Sequence, residues 1–266
     1  MKPIKLLSAI VSGGSGLRKG IGLPALFLMA AIVLALGAAT PVVSAAEFSE
    51  AELFFELNDT DGDLGIHASI DGGPYVKLEI EDPYDRTILK VTAQGRLAKQ
   101  ELTQLFLESA EPSFDELEPE TFFLRFPEGI YEIEAKTRKG EKFDAAVVLS
   151  HVMANRAENI TVNGIPSAED CDADPLPSVS DPVIIDWDPV TQSHPEIGET
   201  GTVEIVRYQF FVEQGDVKFG VDLPPTVTEF QVPSEITALG GKFKFEIIAR
   251  TATGNNTAIE NCYVVE

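Results

Sequence analysis

The chain has 266 residues, 44% of them apolar, with 20 Lys and Arg against 43 Asp and Glu, a net charge of −23 at pH 7. An acidic field this strong repels nucleic acid and anionic lipid headgroups and attracts cations, so nucleic-acid binding is excluded. The apolar content is enough to build buried cores, and the length fits one or two domains.

Residues 1–46 stand apart. They carry Lys2, Lys5, Arg18 and Lys19 and no acid, then an apolar run from Ile21 to Ala39, then Pro41 and Val43-Ser44-Ala45-Ala46. A charged start, an apolar middle and small residues at a cleavage position make the pattern of a secretory signal peptide. The rival is an uncleaved anchor, since the apolar run approaches the roughly 20 residues that span a bilayer. Pro41 and the small residues favour cleavage after Ala45 or Ala46. Cleavage leaves 220 residues with a net charge of −27 in a secreted or periplasmic compartment, free of the membrane.

AELFFEL, from Ala51, opens a strand-like region. It leads into NDTDGDLGIH at Asn58–His67, where Asp59, Asp61 and Asp63 alternate. An EF-hand loop needs glycine at position 6 and Glu at position 12. Counted from Asp59, those places hold Leu64 and Ile70. Counted from Leu57, Gly62 fits but position 12 is Ala68. This is not an EF-hand. A looser calcium (Ca) site, with Asp59, Asp61 and Asp63 as metal ligands, stands beside an acidic turn, because Asp, Asn and Gly favour turns for backbone reasons alone. Strand alternation turns His67 away from the face of Ile66 and Ala68, toward solvent.

PYVKLEIEDP alternates Val76, Leu78 and Ile80, and TILKVTAQGRL and LTQLFLESA continue as strands. In SFDELEPETFFLRFP, Ser113 and Glu116 have capping-box spacing and Pro119 suits a first helical position. One or two short helices are expected there, with Phe122, Phe123 and Phe126 as core. GIYEIEAKTRKGEKFDAAVVLSHV reads as a hairpin turning at Arg138-Lys139-Gly140. Residues 47–155 form a β-rich amino-terminal domain with a helical insert. Residues 156–174 are polar and turn-rich, a linker with room for the first edge strand of a second module. Its acids Glu169, Asp170, Asp172 and Asp174 read as solvated charge.

In VIIDWDPV, Val183, Ile185 and Trp187 alternate with Ile184, Asp186 and Asp188, the period of a half-buried strand. TVEIVRYQFFVEQGDVKFGVDLPP, VTEFQVP and KFKFEIIARTATGNNTAIENCYVVE follow, with turns at Gln214-Gly215-Asp216 and Gly254-Asn255-Asn256. Short strands with such turn spacing indicate a β-sandwich.

Residues 175–266 resemble a fibronectin type III module. Trp187-Asp188-Pro189 matches the tryptophan and exit of its second strand, Tyr208–Val212 its third, Val227–Pro233 its fifth and Phe243–Ala249 its sixth. The fold class is therefore all-β, two β-sandwich-like domains in tandem, the second of fibronectin type III (Ig-like) kind. The family places a tyrosine near the start of the sixth strand, tied to the preceding loop. Phe243 stands in that place here, and the tie is lost.

Cys171 and Cys262 are the only cysteines, and in an oxidising compartment they read as a disulfide rather than a zinc site without a neighbouring His. Two free thiols are the alternative, without a CxxC or a nearby base. A bridge would pin the termini of the second module and close a loop worth about 4 kcal/mol in the chain-entropy model.

Beyond residue 46 the chain has no G-x-S-x-G, H-E-x-x-H, P-loop or dinucleotide fingerprint, so no catalytic residue is assigned. The expected function is a non-catalytic exported binding, adhesion or interaction module, calcium-stabilised if the acidic loop holds the ion, with a protein or glycan partner. The alternatives are a structural spacer without a ligand and a secreted carboxylate-based hydrolase. The hydrolase would show a cleft lined by two carboxylates and aromatics.

Overall fold

The structure, a computed structural model, describes residues 47–266; the segment read as a signal peptide lies outside the described residues. The chain opens with β1 (Phe48–Asn58) and β2 (Asp63–Tyr75), paired antiparallel from Phe48 opposite Gly72 to Asn58 opposite Asp63. Leu53, Phe55 and Leu57 share one face with Ile66, Ala68 and Ile70, and all are buried, as the two-residue period of a strand requires.

Next come β3 (Lys77–Glu81), β4 (Thr87–Thr92), α1 (Gly95–Gln100), β5 (Leu102–Glu108), α2 (Pro119–Arg125), β6 (Gly129–Lys136) and β7 (Lys142–Leu149). They make two packed sheets, β1-β2-β5 against β4-β3-β6-β7. Pro119 does open α2, but no capping box forms. The Ser113 carbonyl accepts the N–H groups of Glu116 and Leu117 in a separate turn, and the helix starts only after Glu118. Phe122, Phe123 and Phe126 close edge-on around Phe55 at 5.8, 5.2 and 6.4 Å, as core. The α1 turn replaces the end of a stretch that reads as strand, entered through Gly95 at φ 57°.

The second half comprises β8 (Val152–Ala154), β9 (Thr161–Val162), β10 (Ile165–Pro166), β11 (Ser178–Val179), β12 (Ile184–Asp186), β13 (Ser193–Gly198), β14 (Ile205–Gln214), β15 (Val217–Leu223), β16 (Glu229–Gln231), α3 (Ser234–Thr237), β17 (Gly241–Thr251) and β18 (Asn256–Val265). Its sheets are β10-β9-β12-β16 and β15-β14-β17-β18. Trp187 is buried between them, edge-on to Tyr208 at 5.6 Å. Residues 156–174 are more than a connector: β9 pairs with β12, and Val162 is fully buried.

The two halves repeat one topology. Three strands, β1-β2-β5 in the first and β9-β12-β16 in the second, face four, with β10 added as a short edge strand in the second half, and a short helix leads into β6 as another leads into β17. This is a fibronectin type III-like arrangement. The tyrosine tie is absent from the second half, where Phe243 instead stacks on Tyr263 at 5.3 Å. It is present in the first, where the Tyr131 hydroxyl on β6 donates to the Pro127 carbonyl at 2.9 Å.

The halves are joined through the backbone. β1 runs parallel to β18, from Glu56 opposite Asn256 to Asn58 opposite Ala258, so one sheet continues as β15-β14-β17-β18-β1-β2-β5. β11 adds an eighth strand beside β18. Each half keeps its own apolar core. The Cys171–Cys262 disulfide is formed, with its Cα atoms 5.2 Å apart, and ties the stretch before β11 to β18. Among the described residues, no helix is long and apolar enough to cross a membrane.

Candidate binding face

Strand alternation sends every second residue of the shared sheet away from both cores. Where the sandwiches meet at β1 and β18, these residues line a trough of about 580 Å³. Phe106 on β5 and Phe211 on β14 are exposed along it, and seven glutamates enter it: Glu50, Glu52, Glu56, Glu108, Glu213, Glu246 and Glu260.

Some of this charge is neutralised within the protein. Arg250 on β17 reaches across the seam to Glu52 at 2.6 Å, its guanidinium lying over the Phe54 ring at 4.6 Å. Lys244 donates to Glu260 at 3.0 Å and Lys218 to Glu213 at 2.7 Å. Asn256 donates to Glu56 at 2.7 Å.

Glu246 is different. It stands between Phe211 on β14 and Glu260 on β18 in the strand register. Among the described residues its carboxylate makes neither an ion pair nor a hydrogen bond. Burial pushes its carboxyl up to about 7, and the charges of Glu260 and Glu56 add to this, outweighing the lowering by Lys244. Asp63 on β2 is pushed up to about 6, again first by burial and then by Glu111, Asp61, Glu260 and Glu56. The middle of the face thus carries more carboxylate than the protein neutralises. It can accept an ammonium or guanidinium group, with aromatic surface beside it for the alkyl stem.

The acidic loop does not gather its aspartates. Asn58 accepts the N–H groups of Thr60 and Asp61, and Gly62 closes the turn at φ 65°. Asp59 turns to the second half and meets Arg156 at 3.0 Å and His194 at 3.0 Å. Burial raises its carboxyl, but the His194 hydrogen bond and the neighbouring positive charge outweigh this and hold it below its ordinary value. Asp61 accepts from the Asn58 amide, and Asp63 starts β2 opposite Ser113. No trio containing these carboxylates has its ligand atoms within a common 4.8 Å among the described residues.

His67 does not face solvent. It is 4% exposed, with its ring Nε2 2.8 Å from Glu111. That partner comes from the loop after β5, too far along the chain for alternation to reveal. His194 accepts the N–H groups of Glu196 and Ile197 at Nδ1, so its Nε2 carries the hydrogen directed at Asp59. The second acidic cluster is mostly exposed, with Glu169 near Arg156 and Asp172 near Lys242. The sequence names none of the trough residues as a site. Their only signal was the glutamates on the outward positions of β1 and β17.

No family model matches the chain, and no curated protein matches it. Solved structures of similar fold include the FN1–FN3 domains of chicken CNTN1, 11% identical over 83% of this chain and 67% of that one, with a TM-score of 0.34. A two-domain fibronectin type III segment from chicken tenascin is 12% identical over 82% and 98%, with a TM-score of 0.28. A tetra-tandem repeat from the extending region of a large adhesion protein is 11% identical over 82% and 50%, with a TM-score of 0.27. At such identities the likeness concerns the fold alone.

Proposed function

We propose that the protein is an exported, non-catalytic binding module, and that the trough is its recognition face for a protein segment rich in Lys and Arg. One observation carries this: Glu246, half-buried between Phe211 and Glu260, makes no ion pair, and the nearby Lys244 is already engaged by Glu260 and Glu213. A bound ammonium or guanidinium would supply a partner charge and relieve the repulsion from Glu260 and Glu56. The signal-like segment and the disulfide support export. Calcium is left out of this reading, because Asp59 already has two basic partners and the three loop carboxylates do not converge.

The test is isothermal titration of the protein with an Arg- and Lys-rich peptide at about 0.15 M salt, with a Glu-rich peptide as control. Saturable binding of the basic peptide, weakened about tenfold or more in Glu246→Gln, is the expected result. No saturable binding would leave a spacer without a ligand.

A second reading has an observation of its own. Glu246, its carboxyl raised to about 7 by burial, lies opposite Glu260 in the strand register, and a pair of carboxyl groups beside aromatic surface is the equipment of a glycosidase. Turnover of a glycoside that disappears in Glu246→Gln would establish that reading instead.

A further inference from the structure

His151 lies between β7 and β8, and its ring is held by two contacts. It packs on Phe123 with centroids 4.6 Å apart, and its Nε2 lies 2.8 Å from the Phe126 carbonyl oxygen. A carbonyl can only accept, so Nε2 carries the hydrogen and the ring's lone pair is on Nδ1. Glu128, from the turn before β6, is fixed beside it. Its Oε1 accepts the His151 N–H at 2.5 Å and the Ser150 hydroxyl at 3.0 Å.

The third group comes from the other half of the chain. Gly198 ends β13 at φ 78°, so close to the His151 carbonyl that a Cβ there would meet the oxygen at 2.1 Å. That approach lets the Glu199 N–H donate to the same carbonyl at 2.9 Å, which brings its side chain to the cluster. Glu128, His151 and Glu199 offer ligand atoms that all lie within 4.8 Å of one another. No Lys or Arg pairs with either glutamate among the described residues, and both are exposed.

We propose that Glu128, His151 and Glu199 bind a divalent first-row transition ion of the zinc type, which staples the first half of the molecule to the second. Calcium and magnesium favour all-oxygen shells, whereas an imidazole with two carboxylates suits zinc. Three protein ligands leave the fourth position to water. A histidine that donates its other ring N–H to a backbone carbonyl is the usual support for such a ligand. Because the ligands come from both halves, the complete site exists only in the folded protein, and binding must stabilise it by mass action.

The experiment is a zinc titration of the full chain by calorimetry and by thermal melt. The buffer holds millimolar calcium and magnesium, so that non-specific counterion sites are already filled. Stoichiometric uptake is expected, with a melting temperature about 5 °C higher at a hundredfold excess over Kd, reversed by EDTA. Glu199→Gln, an exposed substitution that keeps the backbone hydrogen bond, should lose the uptake and the shift while melting like the metal-free parent. His151→Ala should lose the uptake as well, whatever it does to stability. No stoichiometric uptake, or uptake unchanged in Glu199→Gln, would overturn the site.

Discussion

Glu246 pays a desolvation cost and also faces like charge, and both terms act on its proton. Its carboxyl is raised from 4.5 to about 7 in the folded state. The folded chain therefore holds that proton more tightly than the unfolded chain does. Below pH 4.5 both states are protonated and nothing is lost. As pH rises toward 7 the unfolded chain ionises first and stability falls, with the loss complete above 7. At ~1.4 kcal/mol per pH unit, the ceiling is about 3 kcal/mol. Asp63, raised to about 6, adds to the same slope. Glu246→Gln should therefore match the parent near pH 4.5 and be more stable at pH 8, by up to that ceiling. Urea unfolding at the two pH values measures it. An equal pH 8 penalty in both proteins would mean that Glu246 is not the source.

At the scale of elements, the seam between β1 and β18 is braced by one fully buried side chain besides its backbone pairing. Asn255, in the turn before β18, is fully buried. Its Oδ1 accepts the Phe55 N–H at 3.0 Å, and its Nδ2 donates to the Ser150 and Val152 carbonyls at 2.8 and 3.1 Å. It thus joins β1, β8 and the β17–β18 hairpin. Asn255→Ala would strand three buried backbone groups and should cost about 3 kcal/mol or more, read from the denaturation midpoint. A loss below about 1 kcal/mol would show that water replaces the amide.

This seam also marks where the sequence stops being informative. The strands around Val183–Trp187, Phe210, Phe245 and Ile259 are legible because alternation is local. The β1–β18 pairing joins residues some 200 positions apart, and nothing in either strand names its partner. The same holds for His67, whose ring partner Glu111 comes from the loop after β5. The capping-box spacing misled because Ser113 and Glu116 had the right separation but belonged to a turn before the helix.

The whole molecule couples two cores through one sheet, and this has a thermodynamic consequence. β18 is the last strand of the second sandwich and the neighbour of the first strand of the other. Unfolding either half removes hydrogen bonds from the half that remains. Trp187, the only tryptophan, reports the second core, whereas far-ultraviolet circular dichroism reports both sandwiches. If the seam contributes strongly, the two signals should follow one coincident urea transition. Reducing the Cys171–Cys262 disulfide, worth ~4 kcal/mol in the chain-entropy model, should then shift both curves together, although the bridge lies wholly in the second half. An early Trp187 transition, with dichroism persisting to higher urea, would mean that the halves unfold separately. The trough would then rest on a hinge, and binding at Glu246 would require the seam to be ordered first.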